Sequence, residues 1–535
     1  MPFYKITRSF LIVLYLLLWG PISAQLTTNL ELLNFGDVQS GESDSLWLII
    51  SGPSEGKWEI ENYFAPAFSV SDSVAPDNGN APDSILVYFS PIQNIEYRGV
   101  LLIRHHQPFA SDLLTVVALS GNGRFNDPYY AATFNLSEEA LKLKLKDLID
   151  GHVSLGYNSA RDEMFMKIDN KKVNGQGASQ NTLEGVYTGK EAVGYSSRSD
   201  AQNRFNFNTE HTYPQGQFNK SEPMRSDLHH LFPTKVYANS ERGNKPFGVV
   251  TNPSWQEGGS KSNNNYFEPR DQQKGPTARA MLYFLIRYKN YNGYVSNKNQ
   301  ELLIDWARNF PPTPVEKRRN EDIFKVQKNR NPFVDHPEFL DRIHNFIATS
   351  NAPENYSYGL SSDELLLRIS NTGSQKLFAL ANNGNVPIQI NYVTTTANRL
   401  QVDSFDAVAT PGEAALIYLS WDMNSAILND TMLVQLDNGD LVQVPVSIEL
   451  EVGIDRPEAP NLSIYPVPAS DYIEIQSKMT LDYYYIAGAD GKVLRSGLLS
   501  GHRGQVSLRD LPQGFYLVGI NGRDFSFCRP LIIAR

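Results

Sequence analysis

Three hydrophobic patterns alternate along the chain. Residues 26–123 carry short apolar runs, such as Leu46-Trp47-Leu48-Ile49-Ile50, Ile85-Leu86-Val87-Tyr88-Phe89 and Val100-Leu101-Leu102-Ile103, between clusters of Gly, Pro, Asn, Asp and Ser. Runs of this length and spacing predict the strands of a sandwich. Residues 361–452 repeat the pattern with Leu365-Leu366-Leu367, Ala415-Leu416-Ile417-Tyr418-Leu419 and Val442-Gln443-Val444-Pro445-Val446, so we expect two copies of one sandwich design. Between them the period lengthens. Leu141, Leu145, Leu148 and Ile149 recur at helical spacing after Ser137, a favourable N-cap, with Glu138 and Glu139 in the first turn. Residues 278–291 predict a second helix with Pro276 in its first turn. Residues 302–310 and 315–327 predict two more. Residues 460–535 return to short strands with Asp490-Gly491 and Gln513-Gly514 at turns, behind a stiff linker, Asp455-Arg456-Pro457-Glu458-Ala459-Pro460.

The N-terminus changes the picture by adding an export signal. Lys5 and Arg8 precede an apolar run over 10–19, and Ser23-Ala24 offers a cleavage point. A run of about ten residues is too short to span a membrane and reads as a signal peptide. The expected organisation is a signal peptide (1–24), a β-sandwich (25–124), a mixed, mainly helical domain (125–351), a second sandwich (358–453) and a C-terminal β module (460–535). No stable transmembrane segment is expected in the mature protein.

The 535 residues, 41% hydrophobic and 20% charged, describe folded multidomain protein rather than disorder. One cysteine, Cys528, rules out an internal disulfide; its apolar neighbours suggest a buried strand position. The net charge of -10 conceals an asymmetry: residues 121–350 hold 31 Lys and Arg against 26 Asp and Glu. A basic centre between acidic flanks points to a polyanionic substrate.

The chemistry concentrates in that centre. Phe207-Asn208-Thr209-Glu210-His211-Thr212-Tyr213-Pro214 is followed by Asp227-Leu228-His229-His230-Leu231-Phe232-Pro233 and Asn239-Ser240-Glu241-Arg242-Gly243-Asn244. Glu210 and Asn239 are oxygen donors of the kind a hard divalent ion accepts, and His211 can be a neutral base near pH 7. On a regular strand Glu210 and His211 point to opposite faces. Pro214 supplies a break, and residues 234–241 predict a short helix that presents Asn239, completing a strand–strand–helix (ββα) metal site. Other readings stay open. His211, Asp227 and His229 could hold zinc, His230 could satisfy a buried backbone group, and Glu268 could cap a helix or support the site. The cations at 317–330 could contact phosphate or form a solvated face. His105-His106 is expected at a surface strand end.

These motifs, with Phe267-Glu268-Pro269, Lys274-Gly275, Ala278-Arg279-Ala280, Arg319-Asn320, Gln327 and Asn329-Arg330-Asn331-Pro332-Phe333, resemble the bacterial endonuclease I family over residues 129–346. The resemblance implies a ββα-metal nuclease with His211 as general base and Glu210 and Asn239 as ligands of one Mg²⁺, with Mn²⁺ or Ca²⁺ as alternatives. It implies that Asp227 and His229 fix metal-bound waters and that Arg225 or Arg242 meets the scissile phosphate. Lys274, Arg279, Arg319 and Arg330 are expected nucleic-acid contacts. The expected products are 5′-phosphate and 3′-hydroxyl ends, from DNA, with RNA as a second candidate substrate. The chain departs from the family in lacking the disulfides of some members and in having Pro276-Thr277 where an acidic residue is usual. Tyr465-Pro466-Val467-Pro468, Gly514-Phe515-Tyr516 and Leu531-Ile532-Ile533 resemble a type IX secretion sorting domain of Bacteroidetes type. It implies a secreted or outer-membrane-attached product and the type IX machinery as partner. Phe35-Gly36-Asp37-Val38 and Leu119-Ser120-Gly121-Asn122-Gly123 resemble Ig-like modules of the ASPM, SPD-2 and hydin class. The alternatives to a secreted endonuclease are a surface adhesin that binds polyanions through a nuclease-like domain, and a phosphodiesterase acting on another polymer.

Overall fold

The computed structural model describes residues 26–51, 57–63, 67–70, 83–106, 113–368, 376–397, 400–421, 429–449, 462–478, 480–488, 493–499, 501–522 and 525–535. The expected signal peptide, the linker at 455–460, the turn at 490–491 and the side chain of Cys528 lie outside the described residues.

The alternating runs at the N-terminus form two four-stranded sheets. One orders Thr27–Thr28, Asp44–Ser51, Asp83–Phe89 and Phe68–Val70, and the other Leu32–Gln39, Leu113–Arg124, Glu96–His106 and Lys57–Tyr63. Alternate residues point inward, and Phe35, Phe68 and Phe89 pack with Leu48, Leu101 and Val117 in one core. His105 is buried rather than placed at a surface strand end, because its position alternates inward with Ile103 and Leu101. Residues 358–449 form a four-stranded and a five-stranded sheet around Phe378, Ile388, Ile417 and Val434. Both units close with a parallel pair between an early and the last strand. The C-terminal residues form a three-stranded and a four-stranded sheet over Ile473, Ile486, Val518 and Leu531.

The centre differs in kind. Its helices are α1 (Glu138–Ile149), α2 (Tyr157–Glu163), α3 (Arg198–Phe205), α4 (Val236–Arg242), α5 (Asp271–Arg287), α6 (Asn297–Asn309), α7 (Pro314–Gln327) and α8 (Pro332–Asp335). Its strands are β1 (Thr182–Glu184), β2 (Glu191–Val193), β3 (Phe207–His211), β4 (Leu231–Lys235), β5 (Trp255–Glu257), β6 (Ser260–Ser262) and β7 (Phe267–Glu268). Helix α5 is buried along most of its length and forms the axis of the larger core. It begins at Asp271, earlier than the apolar period predicts, so Pro276 stands inside the helix and not in its first turn. The polar first turns of α5 carry no apolar period to announce them. Strands β3 and β4 form an isolated antiparallel pair, with His211 opposite Leu231 and Glu210 opposite Phe232.

Candidate active site on the β3–β4 hairpin

The two faces of β3 carry different chemistry. Thr209 and His211 share one face, and Glu210 points to the other, as the strand period requires. The strand ends at His211, three residues before Pro214.

On the first face, His211 is almost fully buried. Its Nε2 lies 3.1 Å from the backbone carbonyl of Arg225. A carbonyl only accepts, so Nε2 carries the proton and Nδ1 keeps its lone pair. Nδ1 has no protein partner among the described residues. Burial, then the neighbouring His230 and the Arg225 and Arg161 cations, push the imidazole down to about 3. The ring packs 5.6 Å from Tyr157 and 5.7 Å from His230. His230 itself is a fully buried structural group whose Nε2 meets the Met224 carbonyl at 2.6 Å.

On the other face, Glu210 is 2% exposed. Its Oε1 accepts a hydrogen bond from the Tyr187 hydroxyl at 2.8 Å and lies 3.1 Å from Nε of Arg242. That nitrogen is at ion-pair distance but is not aligned for a hydrogen bond. Both contacts fall on Oε1, which leaves Oε2 without a protein partner among the described residues. Burial pushes the Glu210 carboxyl up to about 7, against the opposing pull of Arg242 and Tyr187. Helix α4 brings Asn239 to the same strand, where its Nδ2 reaches the Thr209 carbonyl at 3.4 Å. Asn244, just past α4, is exposed and lies beside Gly216 in the segment that follows β3.

Among the described residues no three His, Cys, Asp or Glu side chains converge as a chelating group. A single carboxylate with a free oxygen fits a hard cation that keeps most of its waters. It does not fit tetrahedral zinc.

The remaining expected site residues are placed elsewhere. Asp227 is fully buried and accepts four hydrogen bonds, from the His229 backbone, Gln327, Tyr283 and Tyr288, at 2.8 to 3.1 Å. Burial alone would raise its carboxyl, but His152, His229, His230 and the Gln327 bond outweigh it and hold the group well below the usual range. His229 meets the Asn329 carbonyl through Nε2 at 3.1 Å. Burial pushes it down to about 4. These two residues tie the hairpin to α5 and α7 and are not brought to Glu210. Arg242 is 0% exposed, and besides Glu210 it bonds the carbonyls of Gly243 and Thr212. The four expected phosphate contacts are each paired with carboxylates of the domain itself. Lys274 pairs with Glu268 and Asp271, Arg279 with Glu316, Arg319 with Asp169, and Arg330 with Asp335 and Glu321. Glu268 also accepts from the Val250 backbone at 2.9 Å. Two groups escaped the sequence reading: Tyr157 and Arg161 of α2. Their i, i+4 spacing was visible, but seven residues are too few for an apolar period.

Comparison with known proteins identifies the central and C-terminal regions. The family model for Endonuclease I matches residues 137–338, and that for a secretion system C-terminal sorting domain matches residues 463–534. The chain is 30% identical over 248 residues to an extracellular ribonuclease of Bacillus subtilis, covering 43% of this chain and 83% of that protein. It is 32% identical over 245 residues to an extracellular ribonuclease of Bacillus amyloliquefaciens, covering 41% of this chain and 78% of that protein. It is 33% identical over 124 residues to a periplasmic deoxyribonuclease of Aeromonas hydrophila, covering 22% of this chain and 50% of that protein. The nuclease match with a sorting module downstream of it supports a nuclease that is secreted or held at the surface. The chain belongs to the endonuclease I family and carries a type IX secretion sorting domain at its C-terminus.

Proposed function

We propose that the protein is a Mg²⁺-dependent, largely sequence-non-specific endonuclease that hydrolyses DNA and RNA to 5′-phosphate and 3′-hydroxyl ends. The observation that carries this reading is the His211 tautomer. With Nε2–H held by the Arg225 carbonyl, Nδ1 is the lone pair that takes a proton from the attacking water. A divalent cation bound through Glu210 and an amide would supply charge stabilisation at the phosphate and the leaving oxygen. Glu210 and Asn239 are the proposed ligand pair, and exposed Asn244 is the second amide to test beside Asn239. Arg225 is the proposed scissile-phosphate contact. Arg242 serves instead to hold Glu210, and Asp227 and His229 brace the hairpin. The family's deoxyribonuclease and ribonuclease relatives support both nucleic acids as substrates. The sorting module supports export through a Bacteroidetes-type system after removal of residues 1–24. The sandwiches are proposed as Ig-like spacers.

The test is nicking of supercoiled plasmid by metal-free protein, with and without Mg²⁺. His211→Ala should lower turnover by about 10²- to 10⁴-fold while DNA binding persists. An active His211→Ala protein removes the base, and nicking in EDTA removes the metal. A gel shift without cleavage under Mg²⁺, Mn²⁺ or Ca²⁺ would reduce the domain to a polyanion binder.

A further inference from the structure

The first face of β3 holds two arginines with no counter-ion among the described residues. Gly156, at a φ of 72°, turns the chain into α2, and Tyr157 and Arg161 follow one helical turn apart on the same side. The Arg161 guanidinium carbon lies 4.8 Å from the Tyr157 ring centroid, and that of Arg225 lies 4.1 Å from the same centroid. Arg161 Nε donates to the Thr209 hydroxyl at 3.2 Å, two residues before His211 on the same strand face. Nε of Arg225 is sealed from solvent without a hydrogen-bond partner. Neither guanidinium has a carboxylate within ion-pair distance among the described residues. Elsewhere in this domain Arg198, Arg242, Arg270, Arg279, Arg319 and Arg330 each do.

Two like charges brought to one ring beside a histidine repel each other, and burial of one of their nitrogens adds to that cost. An anion arriving from outside removes both penalties. Guanidinium forks suit phosphate oxygens, and Tyr157 fixes the planes of both by cation–π contact. We propose that Arg161 joins Arg225 in binding one backbone phosphodiester of the substrate strand next to His211, with Tyr157 as the platform that orients them. The inference rests on the nuclease reading above, and it adds Arg161 as a substrate-binding residue.

The experiment uses the full chain carrying His211→Ala, so that a fluorescein-labelled DNA duplex is bound and not cut. Affinity is measured from roughly 50 to 200 mM salt, because each phosphate contact contributes about 0.9 to the slope of log K against log salt. Adding Arg161→Gln should reduce the slope by about 0.9, whereas Arg161→Lys keeps it. An unchanged slope in an Arg161→Gln protein with the parent melting temperature overturns the proposal. A readout that needs no change at Arg161 is protection from phenylglyoxal, followed by peptide mass spectrometry. Bound DNA should shield both Arg161 and Arg225, and an Arg161 modified equally with and without DNA overturns the proposal. Nicking by His211→Ala at the parent rate would sink the catalytic reading alone, since slope and protection still score Arg161.

Discussion

At the scale of single residues, burial separates arginines that the sequence leaves equivalent. Arg225 and Arg242 both flank the Glu210-His211 strand in the chain, and a long flexible side chain does not reveal its partner. The structure seals Arg242 against Glu210 and three carbonyl or hydroxyl oxygens. Removing one member of a buried charge pair costs about 3–5 kcal/mol, since the other is left uncompensated. Arg242→Ala should therefore lose about that much stability in urea unfolding, with Arg242→Met and Glu210→Gln costing less together than the sum of each alone. A stable Arg242→Ala protein with a shallower salt dependence of DNA binding would return Arg242 to the phosphate. The end of the Glu210-His211 strand was legible, because the break at Pro214 is a local signal. The inward pairing of Arg279, Arg319 and Arg330 was not, because each partner lies at least five positions away and the closest approach is set by the fold.

Among the elements, length decided what could be read. The long amphipathic helices α1, α6 and α7 show their period, whereas β1, β2, β5 and β6 have three residues each, too few to show alternation. Helix α5 packs so closely against the end of α6 that a Cβ on Gly275 would stand 2.2 Å from the Phe310 carbonyl oxygen. Gly275→Ala should cost about 1–3 kcal/mol by overpacking, measured as a shift in urea midpoint at unchanged slope. An unshifted midpoint would show that the helices can part freely. The hub that joins the hairpin to α5 and α7 carries a pH dependence of its own. Burial pushes His152 and His229 down, so both are neutral in the fold and bind protons more readily when unfolded. Their contribution is present above about pH 6.5 and is lost as pH falls below it. The depressed Asp227 carboxylate adds a further loss only below about pH 4, where the unfolded chain takes up its proton. Through these groups stability falls from pH 7 toward pH 5; Glu210, with its carboxyl raised to about 7, opposes them over that range, so the fall is read in a Glu210→Gln background. A flat urea midpoint over that range would contradict the assignment.

For the whole molecule, the nuclease domain meets the N-terminal sandwich through Arg342 rather than through the β3–β4 hairpin. Arg342 donates to the Asn94 side chain of the N-terminal sandwich at 2.6 Å and to the Thr133 and Leu136 carbonyls, while Asn94 donates to the Thr133 hydroxyl at 2.9 Å. The sandwich in turn meets its downstream counterpart through an Arg98–Glu413 ion pair at 2.7 Å and an apolar patch of Val100, Leu102 and Ala379. Both contacts join residues hundreds of positions apart, which is why the sequence showed the domains but not their docking. The ion pair is exposed and contributes little, but the Arg342 guanidinium is buried, and among the described residues it is the donor to the Asn94 side-chain oxygen and the Leu136 carbonyl. Arg342→Ala leaves the Asn94 side-chain oxygen and the Leu136 carbonyl short of a donor, at a cost of roughly 2–4 kcal/mol concentrated at this joint. The expected outcome is faster limited proteolysis around residues 124–135 with plasmid nicking nearly unchanged, because His211 and Glu210 lie on the β3–β4 hairpin and share no contact with Arg342. Loss of nicking in parallel with faster proteolysis would mean that the sandwich supports the active hairpin, and would make it part of the enzyme rather than its spacer.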